Sequence, residues 1–447
     1  MKRVLKGIAV VLAVMVLLPL ALLIIINLFD EDLDPKAAAY GEPRAATVPA
    51  AENAYFAMIA VSAPDGADGM AYARAWHNEV KAAALEKRKE KLPESKRAKR
   101  PVVCDPRQSA CIAESSGKSA EIAQQLEAYK EDLARYDAML NLKRYEDVID
   151  YQVQLDSSFP PYPAFAAAQS AYLLRASLDI EAGRFEEAVA ALERDLAFQR
   201  MLLASSRTLI GKMIATANHW RTLQFVSELV QARQSEIAPF LPRLRKGLEP
   251  LNVTALNLGS TMEAEFGLVK ASFRDGLIGK GGALGVPMED VMALLFFKRN
   301  ASMNRSYRYY SGVGALLSLP ADRLEAEANA FAAKWDPAPQ WNWIYDPVGK
   351  ILQSVAAPSF KEYAWRLHDL DGLMRLLALR MDMLVAGVSA EQAPKFIAKS
   401  DAGLHNPYTR KPMSWDADKK RIYFEAKSAG TKRFKQGVDN NQVYVQL

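Results

Sequence analysis

The chain has 447 residues, half of them hydrophobic and 24% charged, a balance that excludes intrinsic disorder and is enough for one large helical domain or two ordinary ones. Its formal charge of +5 is unevenly spread: residues 81–100 hold nine Lys/Arg against three Glu, and residues 395–435 eleven against four Asp/Glu, so the remainder is acidic. Its two cysteines lie close together with no further thiolate or imidazole nearby, which excludes a zinc-type site.

Gly7 to Leu28 is a charge-free run of 22 residues, apolar except for Asn27. Lys2, Arg3 and Lys6 precede it, and Asp30, Glu31, Asp32 and Asp34 follow. About 20 helical residues cross the hydrocarbon of a bilayer, so the run predicts a transmembrane helix. The basic flank places the N-terminus in the cytoplasm and the rest outside it. A cleaved signal would have a shorter apolar core with a small-residue site close behind; here Ala37-Ala38-Ala39 lies beyond an acidic stretch. The expectation is therefore a single-pass anchor in a bacterial inner membrane, residues 1–29, with a periplasmic body. That compartment argues against nucleic acid as a partner. The basic segments 81–100 and 395–435 are candidate contacts for an envelope protein, an anionic polymer or lipid, or else simply solvated faces.

Residues 30–50, with Pro35, Pro43 and Pro49, read as a stalk. Residues 51–118 read as a helical segment with a basic, proline-punctuated excursion. Within it Cys104 and Cys111 flank Asp105-Pro106, a turn former, and predict a loop-closing disulfide in an oxidising compartment. Residues 119–394 read as an α-helical body. Ile122, Leu126, Tyr129, Leu133, Tyr136 and Leu140 recur at steps of three and four, the spacing of one helical stripe.

After Pro160-Pro161-Tyr162-Pro163, helices are expected over 164–181 and 185–203, joined by Ala182-Gly183-Arg184. This hairpin resembles one tetratricopeptide-type unit. Gly183-Arg184-Phe185-Glu186-Glu187-Ala188 matches that family's turn, with Tyr172, Ala176 and Leu192 at helix positions. Asp195 and Arg200 stand where the family has a small residue and proline. The resemblance implies one helical hairpin and not a tandem array, which needs three or more copies. Further helices are expected over 209–234, 237–248, 254–274, 289–297, 322–335 and 360–386. Residues 395–447 read as a small C-terminal element in which 421–425 and 442–446 have the β-branched and aromatic content of antiparallel strands.

Few residues suggest chemistry. Gly276-Leu277-Ile278-Gly279-Lys280-Gly281-Gly282 lacks the spacing and hydroxyl of a phosphate loop and reads as a connection between helices. His368, Asp369 and Asp371 place an imidazole and carboxylates on one helix, His368 and Asp371 at i, i+3. With Asp346 they are the candidates for a hydrolase acting on glycan or peptide. Trp341, Trp343 and Tyr345 could stack on a ligand, lie at a membrane interface, or plug the core. Asn300-Ala301-Ser302 and Asn304-Arg305-Ser306 match glycosylation sequons but read as helix or turn caps. No cofactor or metal is implied.

Asn406-Pro407-Tyr408-Thr409-Arg410-Lys411-Pro412-Met413 with the strand after it resembles a C-terminal element of uncharacterised bacterial single-pass envelope proteins. That pattern usually has Gly where Arg410 stands. The element is also similar to the C-terminal sheet of pseudopilins, which are shorter and carry a prepilin cleavage site absent here. The resemblance implies an envelope setting and brings no catalytic residues. Together the readings predict a mainly α-helical, membrane-anchored periplasmic protein with a small C-terminal β element, acting as a non-enzymatic interaction or scaffold protein. The alternatives are the envelope hydrolase above and a lipid- or small-ligand-binding module.

Overall fold

The charge-free N-terminal run forms one helix, α1 (Lys2–Ile26), with Pro19 inside it. We describe it and the rest of the chain from a computed structural model, which describes residues 2–95, 104–154, 156–275, 296–335, 344–356 and 360–447. Leu12, Val14, Leu17, Leu18 and Leu20 of α1 are 46–67% exposed and point around its full turn. Among the described residues no helix is long and apolar enough to cross a membrane. Several α1 side chains, those of residues 9, 10, 13 and 16 among them, lie outside the described set.

The body begins with α2 (Pro35–Ala39), α3 (Ala54–Ala60), α4 (Gly69–Glu86), α5 (Cys111–Ser115), α6 (Ser119–Glu127) and α7 (Lys130–Leu140). Three long helices follow: α8 (Tyr162–Glu181), α9 (Phe185–Ser205) and α10 (Leu209–Ala232). After α11 (Gln234–Ile237), α12 (Leu241–Lys246) and α13 (Val253–Leu256), α14 (Gly259–Asp275) packs along α15 (Arg299–Leu316). Then come α16 (Ala321–Trp335), α17 (Pro347–Ala356), α18 (Lys361–Val385) and α19 (Ala393–Ala398). Strands β1 (Ser414–Asp416), β2 (Arg421–Glu425), β3 (Val438–Asp439) and β4 (Gln442–Gln446) form an antiparallel sheet in the order β1-β2-β4-β3.

The stripe from Ile122 to Leu140 is buried as expected at Ile122, Leu126, Leu133, Tyr136 and Leu140. It is carried by two helices rather than one, because the chain breaks between α6 and α7 at Ala128–Tyr129. The 30–50 segment, expected as a stalk, instead lies along the body. Ala37 is fully buried, the Tyr40 ring packs on Phe266 and Tyr307, and Lys270 Nζ donates to Ala38 O at 2.6 Å. Pro35 opens α2, and the aromatic face of α14 and α15 holds the segment down.

The α8–α9 hairpin turns at Gly183, whose φ of +76° only glycine adopts without strain. Asp195, at the position where a tetratricopeptide unit has a small residue, is fully buried. Tyr136 Oη donates to its Oδ1 (2.5 Å), as does Gln199 Nε2 (3.3 Å), while Thr222 Oγ1 and Gln169 Nε2 (3.1 Å) donate to Oδ2. One carboxylate thus ties α7, α8, α9 and α10 together. Burial raises its pKa and the four donors oppose the rise.

α18 is the axis of the body, buried on all sides from Ala364 to Met383 apart from brief partial exposure. Gly372 on it admits the Phe424 ring of β2, which a Cβ would meet at 2.4 Å. The sheet's inner face of Ile422, Phe424, Val443 and Val445 is buried there.

Cys104 and Cys111 are bonded, with Cα atoms 5.5 Å apart. The loop they close clasps the C-terminal element: Arg107 O accepts from Lys435 N (3.0 Å) and Gln436 N (3.1 Å), and the Arg107 guanidinium lies over Phe434. Cys104→Ser is expected to lower stability by about 2–3 kcal/mol, the chain-entropy value for so short a loop, read as a lower urea midpoint. An unchanged midpoint would mean the loop is held by its contacts alone.

Candidate functional site

The proposed chemistry-bearing residues are distributed over three places. The first is a cleft of about 210 Å³ where α18 meets the α13 region, the start of α16 and the C-terminal element. His368, Asp371 and Arg375 line it from α18, and Pro407 and Arg410 from the Asn406–Met413 motif. His368 is 3% exposed and its Nε2 has no hydrogen-bond partner among the described residues. Burial first, then the positive charges of Arg375 and Arg410, push its pKa down to about 4. Asp371 accepts from Leu251 N (2.7 Å) and from Arg375 Nε (2.8 Å). Its pKa is raised by burial against the pull of Arg375.

Asp369 does not line this cleft. It faces the C-terminal element, accepting from Tyr408 Oη (2.6 Å), Lys427 N (3.1 Å) and Ser428 N (3.0 Å). Two turns earlier Glu362 accepts from Ser428 Oγ (2.7 Å) and Gly430 N (3.0 Å). These two carboxylates pair the backbone amides that lead into the short 3-10 turn Thr431–Arg433. Burial pushes the Asp369 pKa up to about 6 despite those donors.

Asp346 lies in a third place, at the start of α17. It is fully buried with φ +50°, and its carboxylate accepts from Lys298 N (2.8 Å), Ser302 Oγ (2.6 Å) and Arg305 Nη2 (2.7 Å). Asn27, the one polar residue of the N-terminal run, meets it there. The Asn27 Nδ2 donates to Ile344 O (2.7 Å), and its Oδ1 accepts from Asp346 N (2.9 Å). Asp30 then accepts from Asn300 N (2.8 Å) and Ala301 N (3.0 Å), the bare amides at the start of α15. Asn300 and Asn304, read as caps, bind the same strap through Glu31 O and Asp32 O. Tyr345 Oη donates to Phe29 O (3.4 Å); Trp341 and Trp343 lie outside the described residues, as does the glycine-rich 276–282 loop.

Sequence reasoning did not reach a further cavity of about 100 Å³. Tyr55, Tyr151, Phe159 and Tyr162 line it together with Asp147 and Glu265. The signal was present in the density of tyrosines and prolines over 145–163, but no spacing tied them to one another. Many cations of the basic segments are paired: Arg88 with Glu79, Lys81 with Asp150, Lys427 with Glu325, Arg410 with Asp322. Among the described residues no group of His, Cys, Asp and Glu is arranged to hold a metal ion.

Two buried groups of α18, His368 and Asp369, titrate in opposite senses. His368, with its pKa lowered from 6.5 to about 4, contributes stability in full above pH 6.5 that is lost as pH falls through 4. Asp369, raised from 3.8 to about 6, contributes stability in full below pH 3.8 that is lost as pH rises through 6. His368→Leu is expected to shrink the loss of stability between pH 6.5 and pH 4 by about 2–4 kcal/mol. Urea titrations at both pH values measure it, and equal losses in variant and parent would contradict it.

Compared with known protein families, curated proteins and solved structures, the chain matches none.

Proposed function

We propose that the protein is a single-pass membrane protein of the bacterial envelope whose helical body works outside the cytoplasm as a non-enzymatic interaction scaffold. The observation that carries this reading is the junction at Asn27. An all-round apolar helix ends in a side chain bonded to the body's backbone on both sides, the arrangement of a mount rather than a tether. The basic flank before α1 and the disulfide support the orientation. The carboxylates that a hydrolase would use support the non-catalytic part. Asp346, Asp369 and Asp371 are each engaged by backbone amides and by hydroxyl or arginine donors, in separate surroundings, so none of the three stands as a free acid or base.

The test is crosslinked affinity capture of the full chain from washed membranes. A discrete envelope protein or polymer enriched with the parent, and unaffected by Asp371→Asn, is the expected result. Loss of a measurable glycan- or peptide-cleaving activity on the same substitution would contradict the scaffold reading. A second reading, a small-ligand module, draws on the His368 cleft and its unpartnered Nε2. Chemical-shift changes at His368 with added envelope metabolites would favour it.

A further inference from the structure

The Asn27 junction also fixes how far the body stands from the membrane. With Gly7–Ile26 across the hydrocarbon, twenty helical residues cover about 30 Å, the full apolar thickness. Asn27 then lies at its outer edge, where a headgroup layer only about 5–8 Å deep begins on that side. There is no slack beyond this point. Ile344 O and Asp346 N lie 2.7 and 2.9 Å from the Asn27 side chain, and Tyr345 Oη lies 3.4 Å from Phe29 O. The start of α17 is therefore held at interfacial depth.

The side chains around this point suit such a depth. Phe29 is 80% exposed and Ile351, one turn into α17, is 50% exposed. Leu28, Leu33 and Ile344 add to the same apolar rim at 55, 39 and 37%. On α17 Ile351 lies on the side opposite Gln353, whose Oε1 accepts from Arg305 Nε of α15 (2.6 Å), so one side grips the body while Ile351 is half-exposed on the other. Val348 and Leu352, partly buried, lie beside Ile351 at helical spacing. Tyrosine, with an apolar ring and a polar tip, is the residue type that settles at this level. Asp30, Glu31 and Asp32 flank the rim, so attraction to anionic headgroups does not explain the seating.

We propose that the rim of Phe29, Ile344, Tyr345 and Ile351 is a second membrane-binding surface, inserted into the interfacial layer of the bilayer that α1 crosses. The body is then seated on the membrane in one orientation rather than held above it. The proposal rests on the span of α1 and adds to it.

The test uses the full chain in phosphatidylcholine vesicles that carry nitroxide-labelled lipid. Leu18→Cys, Ile351→Cys and Leu85→Cys each carry one environment-sensitive fluorophore, with the native disulfide left oxidised. All three positions are exposed, so the substitutions leave packing intact. Quenching of Leu18 and Ile351 is expected to exceed that of Leu85 on α4 several-fold, with no anionic lipid present. If Leu18 is quenched while Ile351 behaves like Leu85, or needs anionic lipid to be quenched, the seating is overturned and the span stands. If Leu18 is not quenched, the span itself falls and the seating with it.

Discussion

Asp346→Ala is expected to cost about 3–5 kcal/mol, the range for removing one partner of a buried ion pair. The carboxylate is fully buried and Arg305, its partner at 2.7 Å, is only 16% exposed. Alanine would remove the one acceptor group that Arg305 Nη2, Ser302 Oγ and Lys298 N share, and would strain a residue at φ +50°, where Asp and Asn are tolerated far better. Asp346→Asn keeps the backbone conformation and one acceptor oxygen, and should fall between parent and alanine. Denaturant midpoints order the three proteins. A midpoint for Asp346→Ala equal to the parent's would mean that the carboxylate does not organise the junction of α15 and α17.

Asp195→Ala should be of similar size, about 3–5 kcal/mol, by a different mechanism. No ion pair is broken; four donors from four segments of the core lose one acceptor, and each unsatisfied buried donor costs about 1–3 kcal/mol before relaxation. Because all four converge on one group, the losses are not additive. Tyr136→Phe in the Asp195→Ala background should therefore cost much less than Tyr136→Phe in the parent. Equal costs in the two backgrounds would show that Tyr136 and Asp195 are not coupled.

Much of this architecture could be read before the coordinates, for physical reasons visible residue by residue. The long helices α8, α9, α10 and α18 carry apolar residues at helical spacing with turn formers between them, and local pattern suffices for such elements. Strands 421–425 and 442–446 were expected from β-branched and aromatic content and pair in register as β2 and β4. Arg410, standing where the resembled pattern usually has glycine, adopts φ +57°.

The unreadable elements share one property, dependence on partners distant in sequence. α15 begins Arg-Asn-Ala-Ser-Met-Asn-Arg-Ser and has little intrinsic helical preference. Its first amides are capped by Asp30, 270 residues away. The break between α6 and α7 has no glycine or proline to announce it. Asp346 was singled out as an acid, but its partners arrive from Lys298, Ser302 and Arg305, so only the fold shows that it is structural. Asn27, the one polar residue of the apolar run, is where the helix meets the body, but nothing local in the sequence points to Ile344 and Asp346 as its partners.

The proposed function and the seating both require that α1 cross the membrane with the body outside the cytoplasm. Protease added to intact spheroplasts expressing the full chain, followed with an antibody to the N-terminal residues, measures it. We expect the body to be digested from outside while a short N-terminal fragment remains protected in the membrane, and the reverse in inside-out vesicles. A full-length chain that survives in spheroplasts and is degraded in inside-out vesicles would contradict the orientation, and with it the seating of the body on that face.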